Sequence, residues 1–232
     1  MKKLIAMIPA RLGSKRIPQK NIRYLYEKPL LQYAIDLALS SKCFDEVWVN
    51  SESDIIGNLA LSCGARFHKR PDELSSDTAT NQQFTAEFLY KHPCDYLIML
   101  NSTSPLLRVD TIKKFYDFVR KNNYDTVFSV IDEYAECFFD DKAINFSLER
   151  KVNSQDLKPV RKIVWALTAW RREPFLEADS KNLCGTYFGK VGLFSIPKDE
   201  AVDLDTPEDW AIAEAHLLAR KNKNTKEKYW MI

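Results

Sequence analysis

Arg11, Lys15, Arg16 and Lys20 put four positive charges within ten positions, around Gly13 and Ser14. A glycine lets the backbone turn tightly and approach a ligand closely. Successive backbone N–H groups at Leu12, Gly13 and Ser14 can form an anion-binding concavity, and Arg and Lys side chains add the charge a polyphosphate requires. The pattern reads as a phosphate site, with a basic surface loop as the alternative. It is not a Walker A loop, because its Gly-Ser-Lys lacks the earlier glycine of G-x-x-x-x-G-K-[ST], and no G-x-G-x-x-G is present. Far downstream, Asp203 and Asp205 stand two apart. In extended backbone such residues face the same way, and two like charges on one side repel unless a cation lies between them. Mg²⁺, which takes one or two protein carboxylates and completes its shell with phosphate oxygens, suits such a pair. Glu208 and Asp209 have a sufficient structural role as acids in the first turn of a helix. His68, His92 and His216 lack metal-ligand spacing, and the five cysteines form no CxxC pair. Neither a zinc site, nor His-based nucleophilic catalysis, nor a disulfide framework is expected.

These residues need elements to hold them. The chain has 232 residues, 45% of them hydrophobic, enough for one domain with a large core. Net charge is +2, which points to no nucleic-acid partner. No apolar run approaches the roughly 18–20 residues that span a bilayer. The opening apolar stretch runs straight into Pro9 and a charged segment, so it reads as a buried strand rather than a signal peptide, and a cytoplasmic location is expected. Leu4 to Ile8, Glu46 to Val49, Asp95 to Leu100, Asp125 to Val130 and Val191 to Pro197 have strand character. Leu30 to Leu39, Asp54 to Cys63, Thr78 to Tyr90 and Asp110 to Arg120 have helical spacing. A last helix from Pro207 to about Arg220 is signalled by Thr206 as cap and Asp209 three residues on. Strands alternating with helices predict an α/β fold with a mostly parallel, Rossmann-like sheet. Residues 131–185 are aromatic, charged and weakly periodic, and read as an inserted arm. Residues 221–232 form a basic tail ending in Tyr229, Trp230, Met231 and Ile232, with disorder as the default and docking on a partner subunit as the alternative.

The stretch Ile8-Pro9-Ala10-Arg11-Leu12-Gly13-Ser14-Lys15-Arg16-Ile17-Pro18-Gln19-Lys20-Asn21 closely resembles the N-terminal signature of the acylneuraminate cytidylyltransferases, the CMP-sialic acid synthetase family. Three further segments are similar to family segments in the same order. Arg70 to Thr78 resembles RPxxLSxD, Ser102 to Arg108 resembles TSPLR, and Asp203 to Trp210 resembles DIDTPEDF. The resemblance implies a sheet of the nucleotide-diphospho-sugar transferase type with a dimerisation arm, and hence a homodimer. It implies transfer of CMP from CTP to the anomeric hydroxyl of an acidic, sialic-acid-like sugar, with release of pyrophosphate. Arg11, Ser14, Lys15 and Lys20 would meet the phosphates, with Leu12 and Gly13 adding backbone contacts. Asn21, Arg70 and Asn81 would read the cytosine and ribose end. Asp203 and Asp205 would hold Mg²⁺, and Arg11 and Lys15 would join them as catalytic residues. Asn101, Ser102 and Gln155 would contact the acceptor.

The chain departs from the family pattern on the acceptor side. Asn101 stands where the family has Gln, and its shorter amide reaches less far. Ser154-Gln155-Asp156-Leu157 resembles RQDLP without its arginine. An NGAIY-like stretch reads Trp165-Ala166-Leu167-Thr168-Ala169-Trp170, whose two tryptophans line an altered acceptor pocket or form dimer core. Arg161, Lys162, Arg171 and Arg172 are available to bind a carboxylate or to form a solvated face. The family's TDS segment reads Asn50-Ser51-Glu52-Ser53. Rival readings are an octulosonate acceptor, a nucleotidyltransferase for sugar 1-phosphates, and a catalytically silent nucleotide-binding protein of the same fold.

Overall fold

The first strand, β1 (Leu4–Pro9), is apolar on both faces because it runs through the centre of a sheet covered on both sides. The computed structural model describes residues 2–221. After β1 come the short pair β2 (Tyr24–Leu25) and β3 (Lys28–Pro29), then α1 (Leu30–Ser41), β4 (Glu46–Ser51), α2 (Asp54–Ser62) and β5 (Arg66–Lys69). Next are α3 (Asn81–Lys91), β6 (Tyr96–Leu100), α4 (Val109–Lys121) and β7 (Thr126–Glu133). A small hairpin, β8 (Phe138–Phe139) and β9 (Lys142–Ala143), precedes β10 (Val160–Arg171), α5 (Arg172–Ser180), β11 (Val191–Ser195) and α6 (Pro207–Lys221). The main sheet has seven strands in the order β11-β7-β10-β6-β1-β4-β5, and β10 alone runs antiparallel to its neighbours.

Alternation along β1 sends Leu4, Ala6 and Ile8 to one face, against Leu31 and Ile35 of α1, Ile56 of α2 and Phe115 of α4. Ile5 and Met7 go to the other, against Phe84 and Phe88 of α3 and Phe175 of α5. Each such fully buried side chain contributes about 1.5–3 kcal/mol. A third, smaller cluster positions the candidate site. Ile17, from the loop after β1, packs with Leu25, Leu30, Leu204 and Trp210. This apolar plug ties the basic loop to the segment carrying Asp203 and Asp205.

The start of α6 falls at Pro207 as expected, while α3 starts at Asn81 rather than at Thr78. Thr80 and Gln83 form a reciprocal capping box at α3. At α6, Asp209 accepts the Thr206 N–H at 2.8 Å and returns its own N–H to the Thr206 hydroxyl at 3.2 Å.

The 131–185 region divides differently from the expectation. Only about residues 134–159 leave the main sheet. β10 and α5 belong to the core, with β10 wedged between β6 and β7. Its pattern is hidden because Ala166 to Trp170 are buried on both faces, while Arg161 to Ile163 lie on the exposed extension with β7. The expected features of the C-terminal tail from residue 222 lie outside the described residues. No described helix is long and apolar enough to cross a membrane.

Candidate active site

Beyond the carboxyl ends of β1 and β6 lies a cleft of about 450 Å³, where an open α/β sheet binds its ligands. Arg11, Ser14, Lys15, Lys20, Asn21, Arg70, Asn81, Asn101, Ser102, Asp203 and Asp205 all line it. The structure thus gathers residues that are up to 194 positions apart in the chain from four loops and one helix start. Leu12 and Gly13 lie in the loop but not on the cleft wall, and Gln155 sits exposed in a turn of the arm, away from the cleft.

The four cations are held by two carboxylates. Asp77 takes Arg11 at 3.0 Å and Lys15 at 2.5 Å. Asp205 takes Arg16 at 3.0 Å and Lys20 at 3.4 Å. The Lys20 ammonium also donates to the Leu204 carbonyl at 2.5 Å. The two partner carboxylates occupy places on the cations that phosphate oxygens could take. Lys15 and Asp77 are well exposed, so their pair is weak and exchangeable.

The amides of the loop are less open than the sequence suggests. Leu12 N–H donates to Glu52 at 2.8 Å, and Ser14 N–H to the Leu12 carbonyl at 3.1 Å. A three-amide anion concavity is therefore not formed here, because Glu52 already binds one of its donors. Asn21, buried, donates to the Arg11 carbonyl at 2.9 Å and accepts from the Ser102 hydroxyl at 2.7 Å. Both residues brace the loop against the end of β6. Arg70 is also buried and donates to the carbonyls of Ala10 (2.8 Å) and Asn50 (3.0 Å), locking the ends of β1 and β4 together. Its guanidinium lies 4.8 Å over the Phe84 ring and 3.9 Å from Glu52. Burial pulls it down to about 10, far enough above neutrality to keep it charged. Its Nε is buried without a partner.

Leu204 is fully buried and bonds through its N–H to the Thr103 carbonyl at 2.9 Å, so Asp203 and Asp205 on either side turn toward the cleft. Thr103 donates to Asp203. Protein packed around Asp203 withdraws water and pushes its carboxyl above the ordinary range; the Thr103 hydroxyl opposes this and the Asp205 charge adds to it. Two hard oxygen donors under mutual repulsion fit Mg²⁺. Among the described residues no group of three or more His, Cys, Asp or Glu could hold a metal, so the remaining ligands would be water and phosphate oxygens.

Of the two tryptophans, Trp165 lines the cleft, while Trp170 is buried in the monomer core and donates to the Thr186 carbonyl at 3.1 Å. Arg161 pairs with Asp132 at 3.2 Å, Arg171 with Asp125 at 3.6 Å, and Arg172 donates to the Leu89 carbonyl at 3.0 Å. None of these three, nor Lys162, lines the cleft. Asp77, Glu52 and Thr103 were not singled out by sequence reasoning. Asp77 does close the RPxxLSxD-like segment, a signal that could have marked it.

The chain is thus an α/β protein whose basic cleft faces a carboxylate pair. A family model described as cytidylyltransferase matches residues 5–227. The chain is 30% identical over 219 residues to the N-acylneuraminate cytidylyltransferase A of Danio rerio, covering 92% of this chain and 50% of that protein. It is 30% identical over 227 residues to the CMP-N,N'-diacetyllegionaminic acid synthase of Legionella pneumophila, covering 91% and 95%. It spans about half the length of the fish and streptococcal relatives it matches. In fold it is similar to a CMP:2-keto-3-deoxy-manno-octonic acid synthetase solved with CTP, with a TM-score of 0.70, 19% identity, and 94% and 99% of the two chains covered. The chain belongs to the cytidylyltransferase family.

Proposed function

We propose that this chain transfers CMP from CTP to the anomeric hydroxyl of an acidic, nonulosonate-type sugar and releases pyrophosphate. The observation that carries the reading is the cleft itself, where four cations and the Asp203–Asp205 pair converge. The names of its relatives, N-acylneuraminate cytidylyltransferase and CMP-N,N'-diacetyllegionaminic acid synthase, support the choice of nucleotide and acceptor.

In this reading the sugar hydroxyl oxygen attacks the α-phosphorus and loses its proton to solvent, the bond from that phosphorus to the oxygen bridging to the β-phosphate breaks, and that oxygen leaves with pyrophosphate. Such transfers depend on positioning and charge stabilisation. Arg11 and Lys15 exchange Asp77 for the phosphates and neutralise charge on the leaving pyrophosphate. Lys20, anchored on the Leu204 carbonyl, holds the loop against the carboxylate segment. Mg²⁺ held by Asp203 and Asp205 would supply positive charge to the phosphate oxygens. Asn81 faces the cleft at the start of α3 and stands on the base side, whereas Arg70 and Asn21 act as braces that shape that side.

The protein works as a homodimer in this account. The arm exposes Phe138, Phe139, Ile144 and Leu148, an apolar set that a second copy would cover. The five cysteines are all free, which suits a reducing cytoplasm.

The test is product analysis. The protein is incubated with CTP, Mg²⁺ and either acidic sugars or sugar 1-phosphates, and the products are identified by mass. A CMP-linked acid supports the reading. A nucleoside-diphosphate sugar, or CTP binding without pyrophosphate release from any acceptor, would sink it.

A further inference from the structure

The strand β10 carries an irregularity where it reaches the cleft wall. Ile163 pairs with Val130 and Thr168 with Phe128, so the four residues from Val164 to Leu167 face Ser129 alone. A bulge of this kind bends a strand and re-aims its side chains. Ser129 is fully buried and holds the bulge from within: its hydroxyl donates to the Val164 carbonyl at 2.5 Å and accepts the Leu167 N–H at 3.0 Å. From the other side, Asn101 N–H donates to the Ala166 carbonyl at 3.1 Å. Trp165, at the crest, thereby reaches the cleft beside Met99, Asn101 and Thr103. It is half-buried. The Phe128 ring meets it edge-on at 5.5 Å and Tyr187 stands 6.3 Å away, so the indole is backed by aromatic packing.

This end of the cleft differs from the phosphate end. The cations lining the cleft come from the first loop and from Arg70, with none from β6, β7 or β10. What β6 and β10 offer is an amide, hydroxyls, a thioether and an indole. A supported indole face attracts apolar groups by dispersion and water release, and offers little to a hydroxyl that keeps its water.

We propose that Trp165 is a specificity-determining residue that selects acceptors carrying an apolar substituent, such as the methyl of an acylamino group, and that Ser129 is the positioning residue that aims it. The proposal rests on the cytidylyltransfer reading above. The test uses wild type, Trp165→Ala, Trp165→Phe and Ser129→Ala, with initial rates of pyrophosphate release from CTP. The acceptors are an N-acylneuraminate, N,N'-diacetyllegionaminic acid, and the neuraminate analogue with hydroxyl in place of the acylamino group.

For the better acylated acceptor, Trp165→Ala raises KM about tenfold, roughly the effect of exposing a methyl-sized contact and its aromatic packing. KM for the hydroxyl analogue and for CTP moves less than about twofold, the scale of a contact that is not made. Trp165→Phe retains most of the discrimination, and Ser129→Ala shifts it in the same direction as Trp165→Ala. If Trp165→Ala raises KM for CTP, or raises both acceptor values equally, the specificity role is wrong. If Ser129→Ala changes stability but leaves acceptor discrimination at the wild-type value, the positioning role is wrong. Wild type that binds CTP yet releases no pyrophosphate with any of the three acids contradicts the underlying reading, a result distinct from either failure.

Discussion

Asp77 holds Arg11 and Lys15, so in the proposed reading binding a triphosphate there breaks two exposed ion pairs, each worth about 0.2–1 kcal/mol. Asp77→Asn removes the competitor and should lower KM for CTP about threefold while leaving kcat within about twofold; initial-rate kinetics check this, and a higher KM would show that Asp77 instead preorganises the loop. The cations themselves are legible because four of them crowd ten positions. Their partners are not, because Asp77 lies 66 residues from Arg11 and Glu52 lies 40 from Leu12, and no local pattern encodes such pairs. Nor does residue type separate a ligand-binding group from a brace. Asn21, Arg70 and Ser102 line the cleft, but apart from the Arg70 Nε their side chains are tied to backbone and to one another.

The strands and helices that carry the site owe their stability to a few buried polar devices. Arg70 joins the ends of β1 and β4 through charged hydrogen bonds to two carbonyls. Arg70→Met should cost about 3 kcal/mol, the scale of losing two such bonds inside the protein, read as a lower midpoint in urea. A second device joins β5 to α3. His68 Nδ1 lies 2.9 Å from His92 Nε2, and His68 Nε2 lies 2.8 Å from Glu87, which also pairs with Lys91 at 2.5 Å. Burial pushes both imidazoles below the ordinary 6.5; Glu87 opposes the shift, while Lys91 acts in the same direction as burial. Unfolded chains take up these protons more readily than the native pair does. Stability is therefore full above about 6.5 and is lost as pH falls from there through the native values. Thermal melts from pH 7.5 to 5 should show this fall, and His92→Gln should flatten it. The start of α6 was legible because its capping box at Thr206 is local, whereas α3 is expected from Thr78 and its cap lies at Thr80. β10 was not, because burial on both faces erased the period-two pattern and the Ser129-filled bulge broke what remained.

At the level of the whole molecule, the apolar plug of Ile17, Leu204 and Trp210 joins the first loop to the segment carrying Asp203 and Asp205. The arm projects an exposed apolar surface beyond the sheet. Phe139, 70% exposed, should be covered in a homodimer, and Phe139→Glu should convert the species seen by sedimentation from dimer to monomer. A monomeric wild type would remove the arm from the account. The most direct test of the central claim is pyrophosphate release from CTP, UTP, ATP and GTP with an acylated nonulosonate and Mg²⁺, comparing wild type with Asp203→Ala. The account predicts release from CTP well above the other nucleotides, loss of that release in Asp203→Ala, and an unchanged thermal melt. Equal use of all four nucleotides, or full activity in Asp203→Ala, would contradict it.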